Sequence, residues 1–366
     1  MSTLVSQPHR IAVLPGEGIG PEIVAQALKV LRALQGPGIE FEINEAPVGG
    51  SAYLLTGTPL PQPTVELALA SDAVLFGAVG DPCFDHLETA LRPERAILGL
   101  RNALGLFANL KQVSVPAELA ELSPLRADKV SGVDVLVVRE LNGDVYTGQP
   151  RGVRVAPDGL FTGEREGFDT MRYAEGEVRR IAHVAFKAAQ RRSKRVCNVD
   201  KANVLATSRV WREVVIDVAR EYPDIELTHL YADSAAMQLI SNPGRFDVIL
   251  AGNLFGDILS DAASVLTGSI GLPASALLGE GPRGMYEAGH GTALDIAGRD
   301  IANPLACIRA AALMLRHSLG RNDLAQRIEA AVTSVLRQGL RTADLAGGSR
   351  VVGTSAMGDA VVAALR

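Results

Sequence analysis
The sequence predicts an α/β protein of two lobes built around a mixed, helix-covered sheet. Its 366 residues exceed the size at which a single hydrophobic core usually stops growing. Short β-branched runs alternate with longer segments whose apolar residues recur at helical spacing. Apolar residues make up 47% and charged residues 21%, the balance of a globular enzyme rather than a disordered chain.

Taken in order, RIAVLPG reads as a strand, and Pro21 opens a helix that gathers Ile23, Val24, Ala27, Leu28, Leu31 and Leu34 on one face. Further strands are predicted at FEINEAPV, AVLFGAV, LFANLKQVSV and VDVLVVREL, with a helix over residues 93–104. Residues 148–168, rich in Gly, Pro and charge, suit a projecting hairpin of the kind that serves a partner subunit. A helix from Tyr173 to Arg192 follows, then a strand RVCNVDK, a helix around Trp211, strands IELTHLYA and FDVILAG, and a helix from Phe255. Residues 267–302, dense in glycine and poor in periodicity, read as one long loop region. Helices around 304–319, 322–338 and 357–366 close the chain, and no internal repeat is found.

Composition excludes some functions. A net charge of -5 and 4% aromatic residues offer neither a cationic surface nor stacking rings for nucleic acid. The start MSTLVSQPHR lacks the pattern of a signal peptide, and no stretch reaches the roughly eighteen apolar residues of a membrane span, so a cytoplasmic location is expected. Cys83, Cys197 and Cys307 fall outside any CxxC pattern and are expected as small buried apolar groups.

Five segments carry chemistry. LPGEGIGPE, residues 14–22, is a glycine-rich turn before a helix, either a place for an anion or simply a tight turn; Pro21 at the third-glycine position rejects the standard dinucleotide fingerprint. In NLFGDILSDAAS, Asp257 and Asp261 stand four apart on one helix face, and all-oxygen ligands favour Mg²⁺ or Mn²⁺ over zinc, the alternative being a solvated face. NVDKANVL puts Lys201 at a strand end, where ligands of open sheets gather and where a lysine beside a cation gives up its proton more readily. Asp233 is either a helix N-cap, which spacing favours, or a third carboxylate ligand. Arg101, Lys111 and Arg139 are cations at or near element ends that could converge on substrate carboxylates, and Tyr146, in a short strand, is a possible proton donor or packing residue. GHGTALDIAGRDIANP joins His290, Asp295 and Asn303 in a loop suited to adenosine, where an acidic side chain would favour NAD over NADP.

In order and wording these segments, together with RPERAILGLR, LFANL, VVREL and RIAHVAFKAA, resemble the β-decarboxylating dehydrogenase family of isocitrate and isopropylmalate dehydrogenases, from about residue 10 to residue 320. The resemblance implies the family's two-lobed α/β fold with an active-site cleft, a first, NAD-binding lobe of 1–106 plus 268–366, and a second, dimer-forming lobe of 107–267. It implies a homodimer in which Lys201 and Asp233 act in trans on the partner's Arg101, Arg139, Asp257 and Asp261. It further implies NAD-dependent oxidative decarboxylation of 3-isopropylmalate to 4-methyl-2-oxopentanoate in leucine biosynthesis. Lys201, Tyr146 and Asp233 form the implied catalytic set, and Asp233, Asp257 and Asp261 the ligands of Mg²⁺ or Mn²⁺. Arg101, Lys111 and Arg139 would hold the malate carboxylates, and Glu94, Ile97, Leu98 and Val204 would select the alkyl group. Glu17, Gly18, Ile19, Gly20, Glu287, His290, Gly291, Thr292, Ala293, Asp295 and Asn303 match the cofactor positions.

The chain departs from the family pattern at Lys111, usually arginine, and at Gln112, usually proline. Asn142 and Asp144 replace residues of a small, glycine-rich turn, Thr147 replaces an aromatic, and Leu294 stands where proline is common. The departures keep open a relative acting on another substituted malate, tartrate or homoisocitrate, and, further off, a nucleotide-binding protein without turnover.

Overall fold
The computed structural model describes residues 7–36, 38–345 and 350–365. Its principal strands are β1 (His9–Gly16), β2 (Phe41–Glu45), β3 (Ala73–Ala78), β4 (Ala108–Val115), β5 (Val133–Glu140), β6 (Gly152–Val155), β7 (Arg165–Phe168), β8 (Arg195–Asp200), β9 (Glu226–Tyr231), β10 (Val248–Ala251), β11 (Ala274–Leu278) and β12 (Gly284–Ala288). The helices are α1 (Gly20–Leu34), α2 (Gly50–Thr56), α3 (Gln62–Ala70), α4 (Glu94–Ala103), α5 (Ala127–Val130), α6 (Glu175–Gln190), α7 (Ala206–Ala219), α8 (Ala232–Ser241), α9 (Asn253–Ser264), α10 (Leu305–His317), α11 (Asn322–Arg337) and α12 (Thr354–Ala364). The chain divides into two compact units, residues 1–133 with 263–366 and residues 134–262.

In the first unit the strands run in the order β2-β1-β3-β12-β11-β4. The pairs β2–β1, β1–β3 and β3–β12 are parallel, whereas β11 is antiparallel to both its neighbours, so the sheet is mixed. All six residues of β3 are buried, as expected of a central strand covered on both faces. The predicted stripe of α1 is buried in full and packs toward α10 and α12. In the second unit β5-β10-β8-β9 are parallel throughout, and α6 packs against α7 and β10. Residues 152–155 and 165–168 pair as an antiparallel hairpin that exposes Val153 and Val155.

Several expectations need correction. Residues 267–302 are not one loop, because β11 and β12 occupy the middle of the first unit's sheet. Burial on both faces removes the alternation by which a strand is recognised, and ASALL and GMYEA contain no β-branched residue. Helix α3 was not marked by periodicity because it buries only Thr64 and Ala68. Cys197 and Cys307 are buried, but Cys83 is exposed in a short turn whose amide is held by Asp81. Among the described residues no helix is long and apolar enough to cross a membrane.

The turn between β1 and α1 is closed by its own backbone. Gly16 has φ +74°, and a Cβ there would lie 1.8 Å from the carbonyl oxygen of Ala78. Neither the conformation nor the space admits a side chain. Gly16→Ala is therefore expected to lower the thermal melting midpoint by several degrees, read by circular dichroism. An unchanged midpoint would show that the turn can move away from β3.

Candidate active site
The second unit assembles its polar groups where β5 ends and α9 begins. Arg139, 7% exposed on β5, donates from Nε and Nη2 to Asn253 Oδ1 at 3.0 and 2.7 Å, and from Nη1 to Asp257 Oδ1. Asn253 in turn donates from Nδ2 to the carbonyls of Leu141 and Gly143, so its amide orientation is fixed on both sides. Tyr146 donates its hydroxyl to Asp257 Oδ2 at 2.7 Å, and Arg139 lies over its ring. Burial, with the bond to Asp257, pushes the Tyr146 phenol above its ordinary range, so it holds its proton at neutral pH. Tyr146 lies in a turn and not in a short strand. The first residues of that turn are pinned by Glu140, fully buried, which accepts from the amides of Asn142 and Gly143 and pairs with Arg180.

Lys201 follows directly on β8, where Asp200 accepts from the Ala202 amide and is clamped by Arg212. Its Nζ lies 2.7 Å from Asp233 Oδ1, and the ammonium holds that carboxyl below its ordinary range. Asp233 is not the cap of α8, because that place belongs to Tyr231, and the carboxylate lies inside the helix's first turn. Val204 is exposed one turn beyond Lys201. Asp257 and Asp261 are one turn apart on α9, with Asp261 exposed. Among the described residues no three or more His, Cys, Asp or Glu side chains gather to hold an ion, so Asp233 does not join these two within the chain.

In the first unit Glu94, Ile97, Leu98 and Arg101 fall at i, i+3, i+4 and i+7 of α4 and share one face, while Ala96 and Leu100 face the core. Arg101 lies 3.8 Å from Glu287 of β12, joining a substrate candidate to a cofactor candidate. Lys111 is buried in the middle of β4, not at an element end, and its side chain reaches Gly289, where an added Cβ would be 3.1 Å from Nζ.

The glycine-rich turn is the tight turn of the two expectations. Amides of Glu17, Ile19 and Gly20 donate to Ala78, Thr292 and Glu17 carbonyls, which leaves little of the helix end for an anion. Gly18 is required by the approach of Thr292, whose carbonyl oxygen would lie 2.2 Å from an added Cβ. Loop 289–303 is therefore seated on this turn. His290 is mostly buried, its Nδ1 faces the Gly291 carbonyl at 3.0 Å, and its Nε2 has no hydrogen-bond partner among the described residues. Burial lowers its pKa, so the neutral ring leaves Nε2 as an acceptor for a ligand. Gly291, Ala293 and Asp295 lie on the same loop, with Asp295 exposed, whereas Asn303 is buried and holds the amide of Leu305 at the start of α10.

Sequence reasoning gave no role to Asn253, Tyr173 or Asp144. Asn253 left a signal, a polar residue immediately before an amphipathic helix, and Asp144 was marked only as a departure from a glycine-rich turn.

Residues 10–361 match the family model of isocitrate/isopropylmalate dehydrogenases, and the chain belongs to this family of decarboxylating dehydrogenases acting on a CH–OH group. It is 62% identical over 357 residues to a 3-isopropylmalate dehydrogenase of Burkholderia lata, covering 97% of this chain and 100% of that one. One of Bordetella avium is 61% identical over 358 residues, with 98% and 99% covered. Among solved structures, an isocitrate dehydrogenase from Methylococcus capsulatus matches with a TM-score of 0.85 at 35% identity, over 98% of this chain and 99% of that chain. A β-decarboxylating dehydrogenase from Thermococcus kodakarensis gives 0.77 at 33%, over 98% and 96%.

Glu17 generates a pH prediction. Its carboxylate accepts from the amides of Gly80, Gly50 and Ser51, yet burial raises its pKa above 4.5. A carboxyl raised in the fold contributes stability that is complete below its unfolded value and is lost as pH rises through the folded value. Glu17→Gln lacks this slope. Wild type should therefore gain in melting temperature on Glu17→Gln between about pH 7 and about pH 5. A constant difference would remove the role of burial.

Proposed function
We propose that the protein oxidises and decarboxylates 3-isopropylmalate to 4-methyl-2-oxopentanoate with NAD⁺ and Mg²⁺ or Mn²⁺, a step of leucine biosynthesis in the cytoplasm. The observation that carries the substrate is the face of α4, on which Ile97 and Leu98 stand beside Arg101. The names carried by relatives about 60% identical support it. A third substrate carboxylate, as in isocitrate, would meet apolar side chains there and lose its water without a partner.

The donor set fits both cofactors. Asp257 and Asp261 offer oxygen ligands of the kind a hard dication takes, and the free Nε2 of His290 with the exposed carboxylate of Asp295 suits the polar groups of a dinucleotide. Asp257 and Asp261 would hold a cation that would supply polarisation of the oxygen at C2, and a dinucleotide held at His290 and Asp295 would supply the hydride acceptor. Arg101, Lys111 and Arg139 hold the malate carboxylates. Lys201 takes the proton of the C2 hydroxyl as the C2–H bond gives its hydride, and loss of the C3 carboxylate as carbon dioxide then leaves an enolate. Tyr146, protonated and oriented by Asp257, supports proton delivery to that enolate.

We infer a homodimer in which Lys201, Asp233 and Val204 serve the partner's Arg139, Tyr146, Asp257 and Asp261. The separation of Asp233 from the other two aspartates within one protomer supports this. The reading predicts Mn²⁺-stimulated NADH formation from 3-isopropylmalate, lost in Lys201→Met while NAD binding stays near normal. Turnover surviving that substitution would remove the lysine's role. Complementation tests the dimer: a random equal mixture of Lys201→Met and Asp257→Asn protomers, each inactive alone, should regain about one quarter of wild-type activity, because about half of the dimers are hybrids and each hybrid keeps one of its two sites intact. Absence of recovery in verified hybrids would place both groups in one protomer's site.

Lys111 favours a second reading, since an ammonium gives a carboxylate a point charge in place of a bidentate fork. A different best substrate in a panel of substituted malates, tartrate and homoisocitrate would select that reading. Nucleotide binding without turnover across the panel would mark a non-catalytic protein.

A further inference from the structure
We infer that Asp144 is a positioning residue that holds the Tyr146 hydroxyl at Asp257, an inference that rests on the activity proposed above. Asp144 combines two unfavourable features. Its φ is +73°, a conformation open to glycine but costly for other residues, and its carboxylate is buried, with the residue 1% exposed. Turn formation alone accounts for neither, because glycine would make the same turn without strain or desolvation.

The contacts of Asp144 show what its carboxylate does. Oδ1 accepts from the amide of Val145 at 2.7 Å, and Oδ2 accepts from the amide of Leu254 at 3.2 Å, in the first turn of α9. The Tyr173 hydroxyl donates to Oδ2 at 3.4 Å and accepts from the amide of Asn253 at 2.7 Å. Asp144 also fixes its own turn, donating its amide to the Arg172 carbonyl and accepting from the Gly148 amide. Tyr173, the turn and the start of α9 thus meet on one side chain. A carboxylate at a helix N-terminus is favoured by the unpaired amides and dipole there, which compensates for its burial.

The consequence lies two residues along the turn and one helical turn along α9. Asp144 fastens the turn at Leu254, and Tyr146 meets the same helix at Asp257. Tyr146 is 38% exposed, with the Arg139 guanidinium over its ring and its carbonyl held by Arg151, and neither contact reaches the hydroxyl. With the first fastening gone, the hydroxyl would depend on a single bond to a carboxylate that Arg139 also engages. The loss should therefore fall on the chemical step and not on substrate binding.

Asp144→Gly separates this role from a purely structural one, since glycine suits the backbone. Assayed with Mn²⁺, NAD⁺ and 3-isopropylmalate, the folded dimeric variant is expected to lose on the order of tenfold or more in kcat, with KM values within about twofold of wild type. Asp144→Asn, which keeps an acceptor for Leu254, should recover most of kcat. In a Tyr146→Phe background the further effect of Asp144→Gly should nearly vanish, because the group it positions is already gone. Tyr173→Phe loosens the same clamp without touching the turn and should behave alike at smaller amplitude, which keeps the inference testable if Asp144→Gly does not fold. Wild-type kcat in folded Asp144→Gly, or losses that simply multiply with that of Tyr146→Phe, would overturn it. A wild type without turnover would instead remove the activity reading itself.

Discussion
Arg139 is a cation buried beside the N-terminus of a helix, and the arrangement of the second unit around it follows from keeping it there. A positive charge at that end meets the unfavourable pole of the helix, worth roughly 0.3–1 kcal/mol and up to about 2 in partly buried geometry. Hydrogen bonds to a charged group return about 1.5–3 kcal/mol each, and Arg139 makes three, two to Asn253 and one to Asp257. The bonds prevail only while Asn253 is held in one orientation. That explains why both hydrogens of its amide are spent on the carbonyls of Leu141 and Gly143, and why its own backbone N–H is taken by Tyr173.

The same constraint organises the carboxylates. Glu140 is buried at the end of β5 and turns Oε2 to the two amides that begin the next turn, with Oε1 on Arg180. Asp144 sits at the pole of α9 that favours a negative charge, while Asp257, a turn further on, faces the guanidinium and the phenol. Charges of both signs around one helix end are thus sorted by distance from it. The metal-ligand candidates are on the exposed side of this arrangement, so their geometry is inherited from buried groups, of which Asn253, Glu140 and Asp144 have no proposed catalytic or binding role.

Much of this was legible. The spacing of Asp257 and Asp261, the end-of-strand place of Lys201 and the shared face of Glu94, Ile97, Leu98 and Arg101 depend on local periodicity alone, and periodicity is written in the sequence. What was not legible depends on partners distant along the chain. The use of Asn253 is defined by Arg139, 114 residues away, and that of Asp144 by Leu254, 110 residues away. The strands β11 and β12 were hidden for the related reason that burial between two other strands erases the alternation that local pattern can detect. The two readings of the glycine-rich turn are separated by the Thr292 carbonyl, which accepts from the amide of Ile19 and is likewise distant along the chain.

The accounting of donors on Arg139 constrains how a substrate can bind. A guanidinium has five N–H groups, and three are already engaged inside the protein, so two remain for a carboxylate. Arg101 lies against Glu287, which leaves it charged but partly neutralised, and Lys111 supplies a point charge in place of a fork. On the proposed reading, malate recognition does not rest on three equivalent bidentate clamps, and Arg139, rigid and oriented, is the one that would set the geometry. On the same reading, selectivity among substituted malates would fall to the side chain at C3 and the apolar face of α4, where shape and desolvation decide, and not to the strength with which the common carboxylates are held.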